Sequence, residues 1–284
     1  MLIKLLNCFT LLSLSLVVQA EQFQAPLTDT HWQVIETPLM CTLSQSIADF
    51  GDAKFQRESG GELSLIFTTK SYPAVESTMN FEIAEAPWQN VEERLLMASL
   101  PSLRGQTEFI LSGDLANQAL TQIQEGRFPT LRYHSQNIHQ EISVLLSTVH
   151  LNDSMPAFQQ CLENLPSYSF RDISKLTVYF SSELAELSPQ AQQALTKLAD
   201  YVKMDSSVKS ISISGHTDNY GRRRLNGELS ESRAIAIKNF LVKQRQIAES
   251  LITTSFHLEW KPISSNKSTT GRALNRRAEV EVIR

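Results

Sequence analysis

The hydrophobic pattern of this chain changes near residue 170, and this change restricts the fold more than any other feature of the sequence. Before it, segments such as Glu62–Thr68 and Ser77–Ile83 alternate apolar and polar residues with the period of two that is typical of strands. After it, strand-like segments alternate with helical ones in the order βαβαβ, followed by a final strand. We therefore predict an α+β protein, with a β-rich N-terminal domain like a barrel or sandwich and a C-terminal domain of helices packed on one mixed sheet.

The N-terminal half contains further segments with this period. We predict strands there at Trp32–Ile35, Glu108–Leu111, Thr130–Ser135 and Glu141–Val149. Apolar residues at helical spacing predict a helix over Leu115–Gln124, with Asp114 as its N-terminal cap. A second predicted helix, over Met155–Leu165, carries Cys161.

The C-terminal half has clearer element boundaries. Strands are predicted at Lys175–Phe180, Ser210–Gly215, Leu251–Trp260 and Ala278–Ile283. Ser188 followed by Pro189 is a typical helix start, and Ser230 is the predicted cap of the next helix. A short connection over Gly271–Arg277 is predicted to lead into the last strand.

The first twenty residues have the pattern of a secretory signal. Lys4 gives a positive start, Leu5–Val18 is an apolar run that is short for a bilayer, and Val18-Gln19-Ala20 is a small-x-small cleavage site. We expect export and removal of residues 1–20; the alternative, a membrane anchor, needs a longer apolar run. Later segments are not apolar for long enough to span a membrane, so we expect a mature chain that is not membrane-spanning.

Charge is divided unevenly along the chain. Residues 1–169 carry 8 Lys and Arg against 18 Asp and Glu, whereas residues 170–284 carry 18 against 12. Such asymmetry is typical of two domains with different partners, and Pro166, Ser167 and Ser169 interrupt the pattern where the charge changes. We predict a signal peptide at 1–20, a β-rich partner-binding domain at 21–168 and a second domain at 169–284.

Two cysteines remain after the predicted signal is removed. Cys8 lies within the signal, which leaves Cys41 and Cys161 in a compartment that permits disulfides. A disulfide between them would close a loop of about 120 residues and tie the start of the β-rich domain to its last helix. The alternative, two buried free thiols, stays open at this point.

The connection Gly215–Ala234, with the sequence GHTDNYGRRRLNGELSESRA, joins a predicted strand to a predicted helix. Asp218 follows the strand end, and Arg233 lies three residues beyond the predicted cap, in the first helical turn. Both ends of the connection lie at the same rim of the sheet, so the two side chains can converge. A carboxylate suits an ammonium group, and a guanidinium near free N–H groups at a helix start suits a carboxylate. The pair therefore predicts either a site for a ligand with both groups or a structural ion pair.

Two motifs in the C-terminal half are characteristic of one family. They are Gly215-His216-Thr217-Asp218-Asn219 with Gly221, Asn226, Leu229-Ser230 and Arg233-Ala234, and then Gly271-Arg272-Ala273-Leu274-Asn275-Arg276-Arg277 before the terminal strand. Together they resemble the OmpA-like peptidoglycan-binding domains over residues 172–284. One departure is the segment Phe256–Pro262, which lacks the glycine that the family often has there.

This resemblance implies a ligand. It implies non-covalent binding of meso-diaminopimelate in the stem peptide of peptidoglycan, a residue whose free end bears both an amino group and a carboxylate. By the same resemblance, Asp218 and Arg233 are the primary contacts, and Thr217, Asn226 and Arg276 support the loop or the ligand.

The layout of the whole chain resembles a narrower family. A secretory signal, an acidic β-rich half with a cysteine pair and an OmpA-like module are similar to the periplasmic T-ring components of sodium-driven polar flagellar motors. The resemblance implies that the N-terminal domain associates with the flagellar basal body, that the C-terminal domain holds the wall, and that both help stator proteins assemble around the rotor. The alternative is a general envelope tether with an unrelated N-terminal partner.

An enzymatic role is the weakest of the alternatives. His216, Asp218 and His257 are residue types that serve metal or general-base chemistry, but their spacing matches no ligand pattern. We therefore expect no catalytic activity, no metal or other cofactor, and no nucleic-acid partner.

Overall fold

The computed structural model describes residues 20–284, apart from 27, 29, 87, 88 and 90–92. The predicted signal peptide therefore lies outside the described residues, except for Ala20. The described residues form two compact units, one made of those up to Val34 with Thr42–Gln56 and those within Leu63–Ala157, the other of Ile35–Cys41, Arg57–Glu62 and Phe158–Arg284. This division cuts through strands, so the domain boundary between 168 and 169 stays a prediction. Within the described ranges, no helix combines the length and apolar character needed to cross a membrane.

Two five-stranded sheets make up most of the N-terminal half. One has the strand order β1-β10-β9-β6-β7 and the other β2-β3-β4-β5-β8. Their strands are β1 (Glu21–Gln24), β2 (Trp32–Thr37), β3 (Met40–Ile47), β4 (Gly51–Glu58), β5 (Ser64–Thr69), β6 (Ser77–Ala84), β7 (Arg94–Ser102), β8 (Glu108–Ser112), β9 (Phe128–His134) and β10 (Glu141–Leu145). Two helices accompany them, α1 (Asp114–Gln124) and α2 (Leu151–Asn164).

All six strands predicted in this half are present, but four more carried no prediction: β1, β3, β4 and β7. The strand β3 shows why, because it buries neighbouring residues on both faces and so lacks the alternation that marks a half-buried strand. The predicted cap of α1 was wrong. Asp114 is the first helical residue, and the cap is Gly113, whose positive φ of 65° suits glycine.

A disulfide joins Cys41 at the start of β3 to Cys161 in α2. The two Cα atoms lie 5.9 Å apart, within the range that disulfides require, and both side chains are buried. The predicted pairing is thus confirmed, and free thiols are not the state of these residues.

The C-terminal half forms a four-stranded sheet with the strand order β11-β14-β12-β13. Its strands and α-helices are α3 (Phe170–Ile173), β11 (Lys175–Tyr179), α4 (Pro189–Met204), β12 (Ser210–Gly215), α5 (Arg223–Asn239), β13 (Ile252–Phe256), α6 (Thr269–Asn275) and β14 (Arg277–Ile283), with a π-helical segment at Phe240–Gln244 and a 3-10 helix at Glu249–Leu251 between α5 and β13. The strands β12 and β13 run parallel, whereas β14 is antiparallel to β11 and β12. One core buries apolar residues from the sheet and its helices, among them Leu195, Leu198, Ile211, Ile213, Ile237 and Val280. The α+β class and the mixed sheet with packed helices are confirmed.

One of the two predicted helix starts is correct. Ser188 caps α4, with its hydroxyl accepting from the Ala191 N–H at 3.2 Å, and Pro189 occupies the first turn. The prediction for Ser230 was wrong, because α5 begins seven residues earlier at Arg223 and its cap is Arg222. Arginine favours helices intrinsically, so a run of three arginines can begin one without a side-chain cap. Ser230 is buried two turns inside α5, where its hydroxyl donates to the Gly227 carbonyl at 2.9 Å.

Removing the disulfide tests how much it contributes. We expect the double variant Cys41→Ser, Cys161→Ser to lose about 2–5 kcal/mol of unfolding free energy, because the unfolded chain regains the freedom of a long loop. Urea denaturation followed by circular dichroism measures this. Reductant should lower the wild-type midpoint and leave that of the double variant unchanged; equal midpoints for oxidised wild type and double variant would contradict the expectation.

Candidate functional site

A cavity of about 350 Å³ opens beside α5 in the C-terminal half. The segment after β11 and the connection between β12 and α5 form its other walls. All five side chains that the sequence singled out line it: Thr217, Asp218, Asn226, Arg233 and Arg276. Further lining residues are Ser182, Glu183, Tyr220, Gly221, Leu225, Glu228, Leu229 and Ser232.

The cavity exists because β12 ends on a glycine against α5. A side-chain Cβ at Gly215 would lie 1.9 Å from the Ser230 carbonyl oxygen, so only glycine lets the helix pack this closely. The connection that follows must then turn away from the strand and return to the helix start at Arg223. Gly221 makes this turn possible with a φ of 98°.

Asp218 is buried at the base of this connection, with a side chain 9% exposed. Its Oδ1 accepts from the Tyr220 N–H at 3.1 Å, and its Oδ2 lies 3.0 Å from a terminal nitrogen of Arg276. Asn226 supports the same turn, since its side-chain amide donates to the Asp218 carbonyl at 3.3 Å. The carboxylate is therefore held in one orientation by backbone and by an arginine.

Arg233 is fully buried and donates to three backbone carbonyls. They belong to Ser181 at 3.1 Å, Leu184 at 3.0 Å and His216 at 2.8 Å. Burial lowers the pKa of Arg233 to about 10, with nearby Asp218 opposing the shift and Arg276 adding to it. The guanidinium thus stays charged at neutral pH.

The positions of Asp218 and Arg233 differ from two expectations drawn from the sequence. Asp218 pairs with Arg276, and Arg233 is satisfied by carbonyls, so a direct Asp218–Arg233 bridge is not how these side chains are held. Arg233 also does not lie in the first turn of its helix. It is about three turns inside α5, so free N–H groups at the helix start do not assist it.

Arg276 links α6 to the cavity. It follows the last residue of α6, and its Nε donates to the Phe180 carbonyl at 3.3 Å while it pairs with Asp218. Its side chain is 17% exposed, in contrast to the fully buried Arg233. Arg276 is thus the guanidinium that a ligand in the cavity can reach directly.

Thr217 supplies a buried polar atom that is not used by the protein. Its Oγ1 has no hydrogen-bond partner among the described residues, although the residue lines the cavity. Its backbone N–H donates to the Leu258 carbonyl at 2.9 Å, which ties the connection to the segment after β13. That segment is the one without the expected glycine, and Leu258 there takes a φ of 51° that favours glycine.

The histidines that suggested an enzymatic alternative lie next to this site. The rings of His216 and His257 are 5.2 Å apart. Burial, followed by the charge of Arg277, lowers the pKa of His216 to about 4, so its imidazole is neutral at neutral pH. No group of three or more His, Cys, Asp or Glu in the described part of the chain is arranged to hold a metal.

The sequence missed the residues contributed by the segment between β11 and α4. Ser182 and Glu183 line the cavity, yet they lie about 35 residues before the motif that marks the site. Glu183 has a φ of 60°, which is uncommon for a residue other than glycine. Neither hydrophobic period nor motif spacing signals such a residue, because its place depends on the bonds from Arg233.

Two family profiles match the chain. Residues 23–166 match the MotY N-terminal domain, and residues 179–276 match the OmpA family. The sodium-type flagellar protein MotY of Vibrio parahaemolyticus is 27% identical over 272 residues, which cover 94% of this chain and 92% of that protein. The peptidoglycan-binding protein ArfA of Mycobacterium bovis is 35% identical over 105 residues, 37% of this chain and 32% of ArfA.

A solved structure also aligns with the C-terminal half. The peptidoglycan-associated lipoprotein from Burkholderia pseudomallei is 26% identical in the aligned part, which covers 38% of this chain and 89% of that one, with a TM-score of 0.36.

The hydrogen bonds of Arg233 predict that replacing this residue lowers the stability of the fold. Arg233→Ala would leave three backbone carbonyls without their donor. We expect Arg233→Ala to lose about 2–4 kcal/mol of unfolding free energy. Thermal denaturation measures the loss. The exposed Arg224→Ala on the same helix is the matched control and should change stability by no more than about 0.5 kcal/mol; equal effects of the two variants would refute the structural role.

Proposed function

Because this chain belongs to the MotY family, we propose that it is a periplasmic component of the flagellar motor that anchors to peptidoglycan through the cavity beside α5. The C-terminal domain holds the wall without a covalent bond. The N-terminal domain associates with the flagellar basal body, as part of a T ring, and the anchored ring helps stator proteins assemble and stay around the rotor.

The observation that carries the wall-binding proposal is the arrangement of charges in the cavity. A carboxylate, Asp218, and a partly exposed guanidinium, Arg276, face the same cavity, and the buried cation of Arg233 lies behind them. Charges that are buried and held by fixed hydrogen bonds, as those of Asp218 and Arg233 are, act more strongly on a charged ligand than charges in bulk water. Such a cavity suits a small group that itself carries both signs of charge.

The free end of meso-diaminopimelate is such a group. Its carboxylate matches the donor hydrogens of Arg276 and the unpaired hydroxyl of Thr217, with the buried charge of Arg233 behind them, and its ammonium matches the carboxylates of the cavity. The match to the OmpA family over residues 179–276 supports this ligand, as does the likeness to a protein named for peptidoglycan binding.

The motor role is supported by the N-terminal half. The match to the MotY N-terminal domain spans residues 23–166, and the likeness to Vibrio MotY extends over nearly the whole chain. An envelope tether that shared only the OmpA-like module with MotY would not be expected to resemble MotY over the N-terminal half. The general envelope tether is therefore the second candidate, and motility distinguishes the two.

Sedimentation with isolated peptidoglycan sacculi tests wall binding. We expect wild-type protein to pellet with sacculi and Asp218→Asn to bind at least about 10-fold more weakly, because the variant removes a charged acceptor without changing side-chain size. Glu231→Gln removes an exposed carboxylate from α5 outside the cavity and should bind like wild type. A folded Asp218→Asn protein that pellets fully would refute the site.

Motility of a deletion strain tests the motor role. We expect filaments that form but do not rotate, with fluorescent stator proteins no longer gathered at the flagellar base. Wild-type protein should restore swimming and Asp218→Asn should restore it poorly, because an unanchored ring cannot hold stators in place. Normal swimming of the deletion strain, with wall or outer-membrane defects, would instead indicate the general tether.

A further inference from the structure

The tryptophan of the C-terminal half lies at the surface of the protein. Trp260 follows β13 and is 60% exposed, although tryptophan side chains usually bury most of their surface. The guanidinium carbon of Arg223, the first residue of α5, lies 4.8 Å from the centre of its ring. One face of the indole is thus covered by a cation, while much of the ring stays open to solvent.

The loop that carries Trp260 is fixed on both sides of it. Before it, the Leu258 carbonyl accepts from the Thr217 N–H at 2.9 Å. After it, the Lys261 carbonyl accepts from the buried side chain of Arg277 at 3.1 Å. An aromatic side chain on a rigid loop loses little freedom when it binds a partner, which favours a binding role for this indole.

Positive charge accompanies the exposed indole. Arg222 and Lys261, the sequence neighbours of Arg223 and Trp260, are also exposed. In the part of the chain that the structure describes, neither they nor Arg223 form a salt bridge, in contrast to Arg224, which is paired within α5. Tryptophan and arginine are the residues that most often dominate binding surfaces, and unpaired cations beside an aromatic ring suit a partner with apolar surface and negative charge.

This surface and the cavity lie at the same rim of the C-terminal sheet. The strands β12 and β13 run parallel, so the segments that follow them leave the sheet at one edge. On α5, Leu225 and Leu229 line the cavity. Arg223 and Gly227, on another face of this helix, approach the loop after β13. The first turns of α5 therefore separate Trp260 from the cavity.

We propose that Trp260 and Arg223 form a second wall-binding surface, which holds the glycan strand of peptidoglycan while a stem peptide occupies the cavity. The hydroxyl groups of a sugar ring point outward from its edge and its C–H groups make its faces apolar, so a ring face can stack on the open part of the indole. The N-acetyl and lactyl groups of the strand supply oxygen acceptors for the unpaired cations. The inference rests on the proposed wall-binding function and adds the glycan to it.

The dimensions of the polymer agree with two surfaces on either side of a helix. A helix with its side chains is about 10–12 Å across. Extended peptide spans about 3.3–3.6 Å per residue, so a stem of three residues reaches about 10 Å from its free end to the glycan. One strand can therefore contact both surfaces, and binding at one raises the effective concentration at the other.

Two probes separate the surfaces by calorimetry on the full mature chain. One is glycan strands freed of stem peptides by an amidase, and the other is the free tripeptide that ends in meso-diaminopimelate. We expect Trp260→Ala to weaken glycan binding at least about 10-fold, as for the loss of a central aromatic contact, and to bind the tripeptide like wild type. Asp218→Asn should show the opposite pattern.

A conservative variant and a remote one complete the test. Trp260→Tyr keeps a ring that can stack, so it should retain much of the glycan affinity. Glycan strands should change the tryptophan fluorescence of wild type, and Trp260→Tyr should lack this change because the indole that contacts the sugar is gone. Tyr179→Ala removes another exposed aromatic side chain, on β11, and should match wild type.

The outcomes distinguish this inference from the proposed function. If wild type pellets with sacculi but binds no glycan strands, or if Trp260→Ala binds them like wild type, the inference is overturned and wall binding stands. Binding to vesicles of phosphatidylethanolamine and phosphatidylglycerol in place of glycan would indicate a membrane-facing surface and overturns the inference as well. Wild type that binds neither sacculi, nor the tripeptide, nor glycan strands overturns the proposed function, and the inference with it.

Discussion

The buried guanidinium of Arg233 joins three parts of the C-terminal half that are distant in sequence. From α5 it donates to the end of β12 through His216 and to the segment after β11 through Ser181 and Leu184. A cation removed from water is tolerated only when its donors are satisfied, so these carbonyls must stay where they are. Through these three hydrogen bonds, the Arg233 side chain shapes the rim of the cavity.

A second arginine, Arg276, completes the frame of the cavity. Arg276 holds the carboxylate of Asp218 and the carbonyl of Phe180, and the Phe180 N–H donates back to the Arg276 carbonyl at 2.9 Å. Asp218, Arg233 and Arg276 are therefore oriented by hydrogen bonds within the protein. A ligand that enters the site does not have to order these three side chains, which removes a cost that usually lowers affinity.

The sequence predicts the fold better than it predicts the details of the site. The hydrophobic period alone predicts the α+β class and the succession of strands and helices along the C-terminal half of the chain, because each strand and helix buries one face. The start of α5 was missed since Ser230 satisfies the pattern of a cap while serving inside the helix. All five expected side chains line the cavity, yet the pairing of Asp218 with Arg276 and the place of Glu183 depend on tertiary bonds between distant segments, which spacing cannot reveal.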